Sequence, residues 1–166
     1  MRAEYSIRTA SLADVPLIEA LAAATWEPTY GSILCKEQIH YMFGVIYSGE
    51  ALERQMQEGQ TFLLFLEAEV PVGFAAYSGK DAAEGVYKLN KIYLLPEAQG
   101  KGYGKAFLAA VEDEVSALGA RFLDLNVNRH NKAREFYGRC GYQVHLQEDI
   151  PIGPYWMNDF VMRKEL

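Results

Sequence analysis

The chain of 166 residues has little with which to build a disulfide framework or a zinc site. Its two cysteines, Cys35 and Cys140, form no C-x-x-C pair, and the spacing of metal-binding motifs is missing. Its three histidines, His40, His130 and His145, are scattered, so no metal site and no histidine-based nucleophile system is expected. Long hydrophobic runs are also missing. Residues 61–66 and 107–111 fall far short of the ~20 residues of a membrane-spanning helix. Met1-Arg-Ala-Glu-Tyr5 does not read as a signal peptide, so a cytoplasmic protein without a membrane partner is expected. Basic residues are in deficit, with 16 Lys and Arg against 22 Asp and Glu for a formal charge of −6. That balance argues against holding nucleic acid through bulk electrostatics. No repeat or low-complexity linker divides the chain, and its length suits one domain over residues 1–166.

The charge is unevenly spread. Residues 1–85 carry five basic against twelve acidic side chains, residues 86–140 nine against six, and residues 141–166 two against four. The basic middle, rich in glycine, suits a phosphate-bearing small molecule. The acidic flanks favour a cationic second ligand.

Strand-like and helix-like patterns alternate, which indicates mixed α/β layers. Residues 5–10 read as a strand. Ser11 and Asp14 read as a partial capping box opening a helix through about residue 24, with Pro28 and Gly31 interrupting the pattern over residues 26–31. Helical stretches follow at 36–43 and 50–58, then strands at 61–67 and 72–78 around a turn at 69–71. A long strand at 87–95, a helix at 104–118, a strand at 122–127, a short helix at 132–139 and two strands at 143–150 and 156–163 complete the chain.

Between the long strand and the long helix lies Gln99-Gly-Lys-Gly-Tyr-Gly-Lys105. Backbone N–H groups and a helix N-terminus there can both face a phosphate. Gly100, Gly102 and Gly104 allow close backbone approach, and Lys101 and Lys105 add charge. Neither nucleotide-binding pattern is present. Lys105 is followed by Ala106 rather than Ser or Thr, and it stands where the third glycine of G-x-G-x-x-G would fall.

The run from Ile92 to Lys105 resembles the acetyl-CoA motif of the GNAT N-acetyltransferases, Gln/Arg-x-x-Gly-x-Gly/Ala after a strand, with Gln99, Gly102 and Gly104 as the matching residues. Asn131-Lys-Ala-Arg-Glu-Phe-Tyr-Gly-Arg-Cys-Gly-Tyr142 resembles the family's second motif. Residues 25–30 and 156–162 look most like PaiA-type polyamine acetyltransferases. The resemblance implies an α/β (α+β) GNAT fold, with a mixed, mostly antiparallel sheet of six to seven strands flanked by helices and splayed at strands 87–95 and 122–127. It implies acetyl-CoA as cosubstrate, no metal, and a small amine as the other substrate, with a homodimer left open.

By the same resemblance, Ile92, Tyr93 and Leu94 pair with the pantetheine arm. Gln99, Gly100, Lys101, Gly102, Tyr103, Gly104 and Lys105 hold the pyrophosphate. Asn131 meets the pantetheine or caps a helix, and Asn128 is a further candidate. Tyr137 matches the tyrosine that protonates the departing thiolate, a phenol of pKa ~10 being protonated at neutral pH; Phe136 is expected to pack. Many relatives place a Glu base on the long strand or on the strand after the helix. Lys88, Asn90 and Asn126 stand there instead, leaving Glu27, Glu84, Asp124 through water, or arrival of a neutral amine, as open routes for the proton. Trp26, Tyr30, Tyr41 and Tyr155 are candidates to line the acceptor pocket, fewer than half of them touching substrate. Two other readings remain: a protein N-terminal or lysine acetyltransferase, which needs an open groove where residues 26–47 read as a wall, and a non-catalytic acyl-CoA sensor.

Overall fold

The computed structural model describes residues 4–166. The first three residues of the expected 1–166 domain, and of the segment read as no signal peptide, lie outside the described residues. Seven strands form one sheet in the order β1-β2-β3-β4-β5-β7-β6. They are β1 (Tyr5–Thr9), β2 (Thr61–Glu67), β3 (Val70–Asp81), β4 (Val86–Leu94), β5 (Phe122–Asn128), β6 (Gln143–Ile152) and β7 (Tyr155–Glu165). Among the described residues only β4 and β5 run parallel; the other pairs are antiparallel. The mixed, mostly antiparallel sheet expected from the sequence is thus what the chain forms.

The continuous apolar run of β2 follows from its central place between two helical layers. Leu63 and Phe65 face a core with α4 (Tyr103–Ala117) and α5 (Ala133–Arg139). Phe62 and Leu64 face a second core with α1 (Val15–Tyr30), α2 (Lys36–Tyr47) and α3 (Gly49–Gln57).

Several boundaries differ from the sequence reading. α1 does not stop near residue 24 but continues to Tyr30 with Pro28 inside it. Trp26, only 4% exposed, and Tyr30 anchor this last turn in the second core, and packing outweighs the backbone hydrogen bond that proline forfeits. α2 likewise runs to Tyr47, which is fully packed between Trp26 and Phe74. The β2–β3 turn is Ala68-Glu69, not 69–71. Both residues have positive φ, 49° and 67°, the handedness of a two-residue hairpin turn made here without the usual glycine or asparagine. The Ser11–Asp14 box forms, with Ser11 N donating to the Asp14 carboxylate at 2.9 Å. It opens a 3-10 turn that leads into α1, and Arg8 clamps the same carboxylate.

The feature that positions the site is the parting of β4 and β5. Their ladder covers only Val86↔Phe122 to Leu89↔Leu125. Beyond it β4 stays with β3 as far as Leu94, while β5 follows β7 as far as Asn128. The β5-facing backbone edge of Asn90 to Leu94 therefore has no strand partner.

Candidate active site

The glycine loop lies at the end of this split. Gly100 and Gly102 have φ of 77° and 80°, a region open to glycine at no steric cost, and no heavy atom lies within 4 Å of where either Cβ would be. α4, 15 residues long, starts at Tyr103 without a side-chain cap, so the loop and the helix N-terminus face open space with polar backbone. A Cβ on Gly104 would come 3.4 Å from the Phe136 ring, so this glycine lets α5 pack on the first turn of α4, and Phe136 packs as expected.

Two side chains of the loop point elsewhere than the sequence reading placed them. Lys101 is paired with Glu67 at 3.1 Å, which neutralises its charge. The Tyr103 ring is buried against Phe65 and Tyr5, and its hydroxyl donates to Glu67. These bonds from Tyr103 and then Lys101 hold the Glu67 carboxyl below its usual range. The backbone of both residues stays with the loop. Gln99 donates to the Leu94 carbonyl at 3.2 Å, tying the loop to the end of β4. Lys105 is exposed and lines a separate recess of about 160 Å³ with Arg139 and Lys164.

The other face of the split opens into a cavity of about 390 Å³. β4 contributes Lys88, Asn90, Lys91 and Tyr93; α1 contributes Trp26 and Tyr30; β5 and β7 contribute Asn126, Asn128 and Asp159. The Tyr30 and Tyr93 hydroxyls meet at 3.1 Å; burial first, then Tyr93, pushes the Tyr30 phenol well above the usual tyrosine range, and burial first, then Tyr47, does the same to Tyr93 against the opposing bond with Tyr30. Tyr155 and Tyr41 do not line this cavity. They pack on each other, with ring centroids 5.7 Å apart, because Tyr155 lies at the β6–β7 hairpin end, which removes Tyr155 from the expected acceptor wall.

Tyr137, on α5, packs against Tyr142 at 6.1 Å. Burial, and secondarily the neighbouring Tyr30 and Cys140, raises its pKa, so its hydroxyl stays protonated at any physiological pH. Asn128 Oδ1 accepts from His130 N and Asn131 Oδ1 from Ala133 N, both at 2.9 Å. The Asn131 carbonyl is thus engaged in starting α5, and the Asn128 carbonyl holds the turn after β5.

The carboxylates proposed from the sequence as routes for the proton are not in the cavity. Glu27 and Glu84 are exposed. Asp124 is fully buried under two cations, Arg163 at 2.7 Å and Lys80 at 2.7 Å; burial alone would raise its pKa, yet these hydrogen bonds lower it. The cavity holds Asp159 instead, 8% exposed and opposite Asn128 in the β5–β7 ladder. Burial raises its pKa against the opposing bond from Asn126. Asn126 Nδ2 lies 3.2 Å from Asp159 and 3.3 Å from Glu148, linking the two carboxylates. Among the described residues, no group of three or more His, Cys, Asp or Glu could hold a metal ion, and no helix is long and apolar enough to cross a membrane.

Residues 32–165 match the model of the acetyltransferase (GNAT) domain family. The chain is 27% identical over 162 residues, 96% of each protein, to a spermidine N(1)-acetyltransferase of Thermoplasma acidophilum. It is 34% identical over 80 residues to an uncharacterized N-acetyltransferase, Rv2669, of Mycobacterium tuberculosis, spanning about half (51%) of that protein. Among solved structures it superposes on a PaiA N-acetyltransferase of Thermoplasma acidophilum in complex with coenzyme A with a TM-score of 0.81, at 27% identity and covering 98% of this chain and 99% of that one. It superposes on a GCN5-related N-acetyltransferase of Rhodopseudomonas palustris with a TM-score of 0.84 at 23% identity, over 100% and 99% of the two chains, a likeness of fold. The split sheet, the glycine cradle at its end and these matches agree: the chain belongs to the GNAT family and is an acetyl-CoA-dependent N-acetyltransferase.

Proposed function

We propose that the protein, as a single domain working in the cytoplasm, moves the acetyl group of acetyl-CoA to the primary amine of a small molecule held in the 390 Å³ cavity, by direct attack in a ternary complex. The observation that carries this reading is that one break in the sheet separates a glycine cradle on one side from a cavity with a buried carboxylate on the other. The free edge of β4 over Ile92, Tyr93 and Leu94 pairs with the pantetheine arm, one N–H polarising the thioester carbonyl. The backbone of Gln99, Gly100, Lys101, Gly102, Tyr103, Gly104 and Lys105 surrounds the pyrophosphate, with Asn128 and Asn131 beside the arm. Trp26 and Tyr30 wall the acceptor.

The acceptor arrives as an ammonium of pKa ~10 and gives one proton to Asp159, whose raised pKa brings it nearer the operating pH of a base. The amine nitrogen bonds to the carbonyl carbon, the C–S bond breaks, and the thiolate takes the Tyr137 proton. The nitrogen loses its second proton as the amide forms, and that proton restores the Tyr137 phenol through solvent, while Asp159 releases the first to solvent; of the two protons leaving the ammonium, one ends on the CoA thiol and one is set free. The cavity carboxylate Asp159, linked through Asn126 to Glu148, and the full-length similarity to a spermidine acetyltransferase support a second, narrower reading, a polyamine acceptor.

The test is release of CoA thiol from acetyl-CoA with a panel of small amines, polyamines and peptide N-termini, alongside the thermal shift produced by CoA. Turnover with small amines is expected. Preference for the peptide promotes a protein acetyltransferase, and a CoA shift with no turnover on any amine leaves an acyl-CoA sensor.

A further inference from the structure

Acetyl transfer leaves one buried group of the cavity without a task. Lys91 lies on β4 and is 6% exposed. A buried ammonium is costly unless it meets a counter-charge and hydrogen-bond acceptors. Lys91 has one hydrogen bond, to Gln60 Oε1 at 2.9 Å, and lies 5.2 Å and 5.9 Å from the Phe62 and Tyr47 ring centroids. No ion pair reaches it among the described residues, so two of its three donors lack a protein acceptor. Lys88, the other lysine of the cavity, feels Glu148, Asp159 and Asp124; Lys91 has no such compensation, and burial, then Lys88, brings its pKa down to about 7. Gln55 in the same wall is also incomplete. Its Nε2 donates to the Ile46 carbonyl at 2.7 Å, while its buried Oε1 has no donor.

The two charged groups lie on opposite sides of the split. Lys91 pairs with Ala76 on the β3 side, and Asp159 with Asn128 on the β5–β7 side. Polar groups that the protein leaves unpaired around a cavity are those a ligand completes.

We infer that the acceptor is an amino carboxylate, its amine held at the Asp159 side and its carboxylate by Lys91, with Gln55 Oε1 taking a donor carried by the same end of the molecule. An α-ammonium beside the carboxylate supplies that donor. The amine end rests on the acetyl-transfer reading above; the carboxylate end does not. A polyamine of the same length would set a second ammonium against Lys91, a like-charge contact in a poorly solvated place.

Two measurements test this on the full chain saturated with CoA. In the first, pentanoate and pentylamine are titrated calorimetrically. Pentanoate is expected to bind, and Lys91→Met to weaken it at least tenfold while leaving the CoA thermal shift intact; equal pentanoate affinity in both proteins overturns the inference. In the second, acetyl-CoA turnover is followed with ornithine, 5-aminopentanoate and 1,5-diaminopentane. The wild type is expected to favour the two carboxylates over the diamine at least tenfold in kcat/KM, and Lys91→Met to remove the preference through KM. Gln55→Leu is expected to lower the advantage of ornithine over 5-aminopentanoate, and it replaces Lys91→Met if that variant fails to bind CoA. Wild-type preference for the diamine overturns the inference whatever the variants do. Lys91-dependent pentanoate binding with no amine acetylated upholds the subsite and defeats the acetyl-transfer reading instead.

Discussion

The hydroxyls of Tyr30, from the last turn of α1, and Tyr93, from the free end of β4, meet at 3.1 Å. That contact joins the wall of the cavity to the unpaired edge of β4, and Tyr137, on α5, has its phenol raised by burial and then by Tyr30. A phenol held in its protonated form has a proton available for a departing thiolate, although the same burial makes that proton harder to give, and it does not act as a base.

Tyr137→Phe is therefore expected to lower kcat by roughly 10²- to 10⁴-fold, the span of general acid catalysis, while the KM for acetyl-CoA and the folding stability stay close to wild type because the ring packing is kept. Steady-state kinetics with equilibrium denaturation check both halves. An unchanged kcat with thioester cleavage still rate-limiting reduces Tyr137 to a packing residue.

Asp159→Asn keeps shape and hydrogen bonding to Asn126 but removes the charge. The expected outcome is a fall in kcat of roughly 10²- to 10⁴-fold near neutral pH, partly recovered as pH rises toward the amine pKa of ~10 and the acceptor arrives neutral. The wild-type kcat/KM profile should lack that steep rise over the range where Asp159 is ionised. Parallel profiles for the two proteins would remove Asp159 from the proton path.

Much of this site is legible in the sequence where chemistry and local conformation coincide. Gly100 and Gly102 mark backbone that needs positive φ, and Gly104 marks a close helix contact, so a spacing of small residues carries the cradle. Asp159 and Lys91 escape notice for the opposite reason. Each lies in a strand between an asparagine and an apolar residue, and their burial depends on which strand is adjacent. The available signal is phase: Asp159 shares a face with buried Val161, and Lys91 shares one with cavity-lining Tyr93. A charged residue in the buried phase of a strand is uncommon enough to mark a site. Pro28 and Ala68-Glu69 mislead because tertiary packing and pairing register, which no local pattern displays, overrule proline inside a helix and positive φ outside glycine.

Gly102→Asp tests the cradle. The site has room, with no atom within 4 Å of the new Cβ, and aspartate is among the residues that tolerate left-handed backbone. A strain of ~1–2 kcal/mol corresponds to a Tm of the free protein lower by about 2–8 °C in a chain of this size. The thermal shift given by saturating CoA in the wild type is expected to vanish, because a carboxylate then occupies the place of the pyrophosphate. A retained shift would show that the phosphates bind elsewhere.

Lys91 gives the protein a pH dependence of its own. Its pKa is about 7 in the folded chain and ~10.4 in an unfolded one. Between these values the unfolded state binds more protons, so this group raises stability as pH rises from 7 toward 10, by at most about 1.4 kcal/mol per unit. Below pH 7 both states are charged and the cost of burying the ammonium is fully present. Lys91→Met lacks that cost at every pH. The variant is expected to be more stable than the wild type by the widest margin at pH 6.5, with the margin closing by pH 9.5 as the wild-type lysine sheds its proton in the fold. Urea midpoints at the two pH values decide it, each compared within one buffer so that every other titrating group cancels. A margin that stays constant would mean that the folded chain keeps Lys91 at its ordinary pKa, and hence already supplies the counter-charge that the cavity otherwise leaves to a ligand.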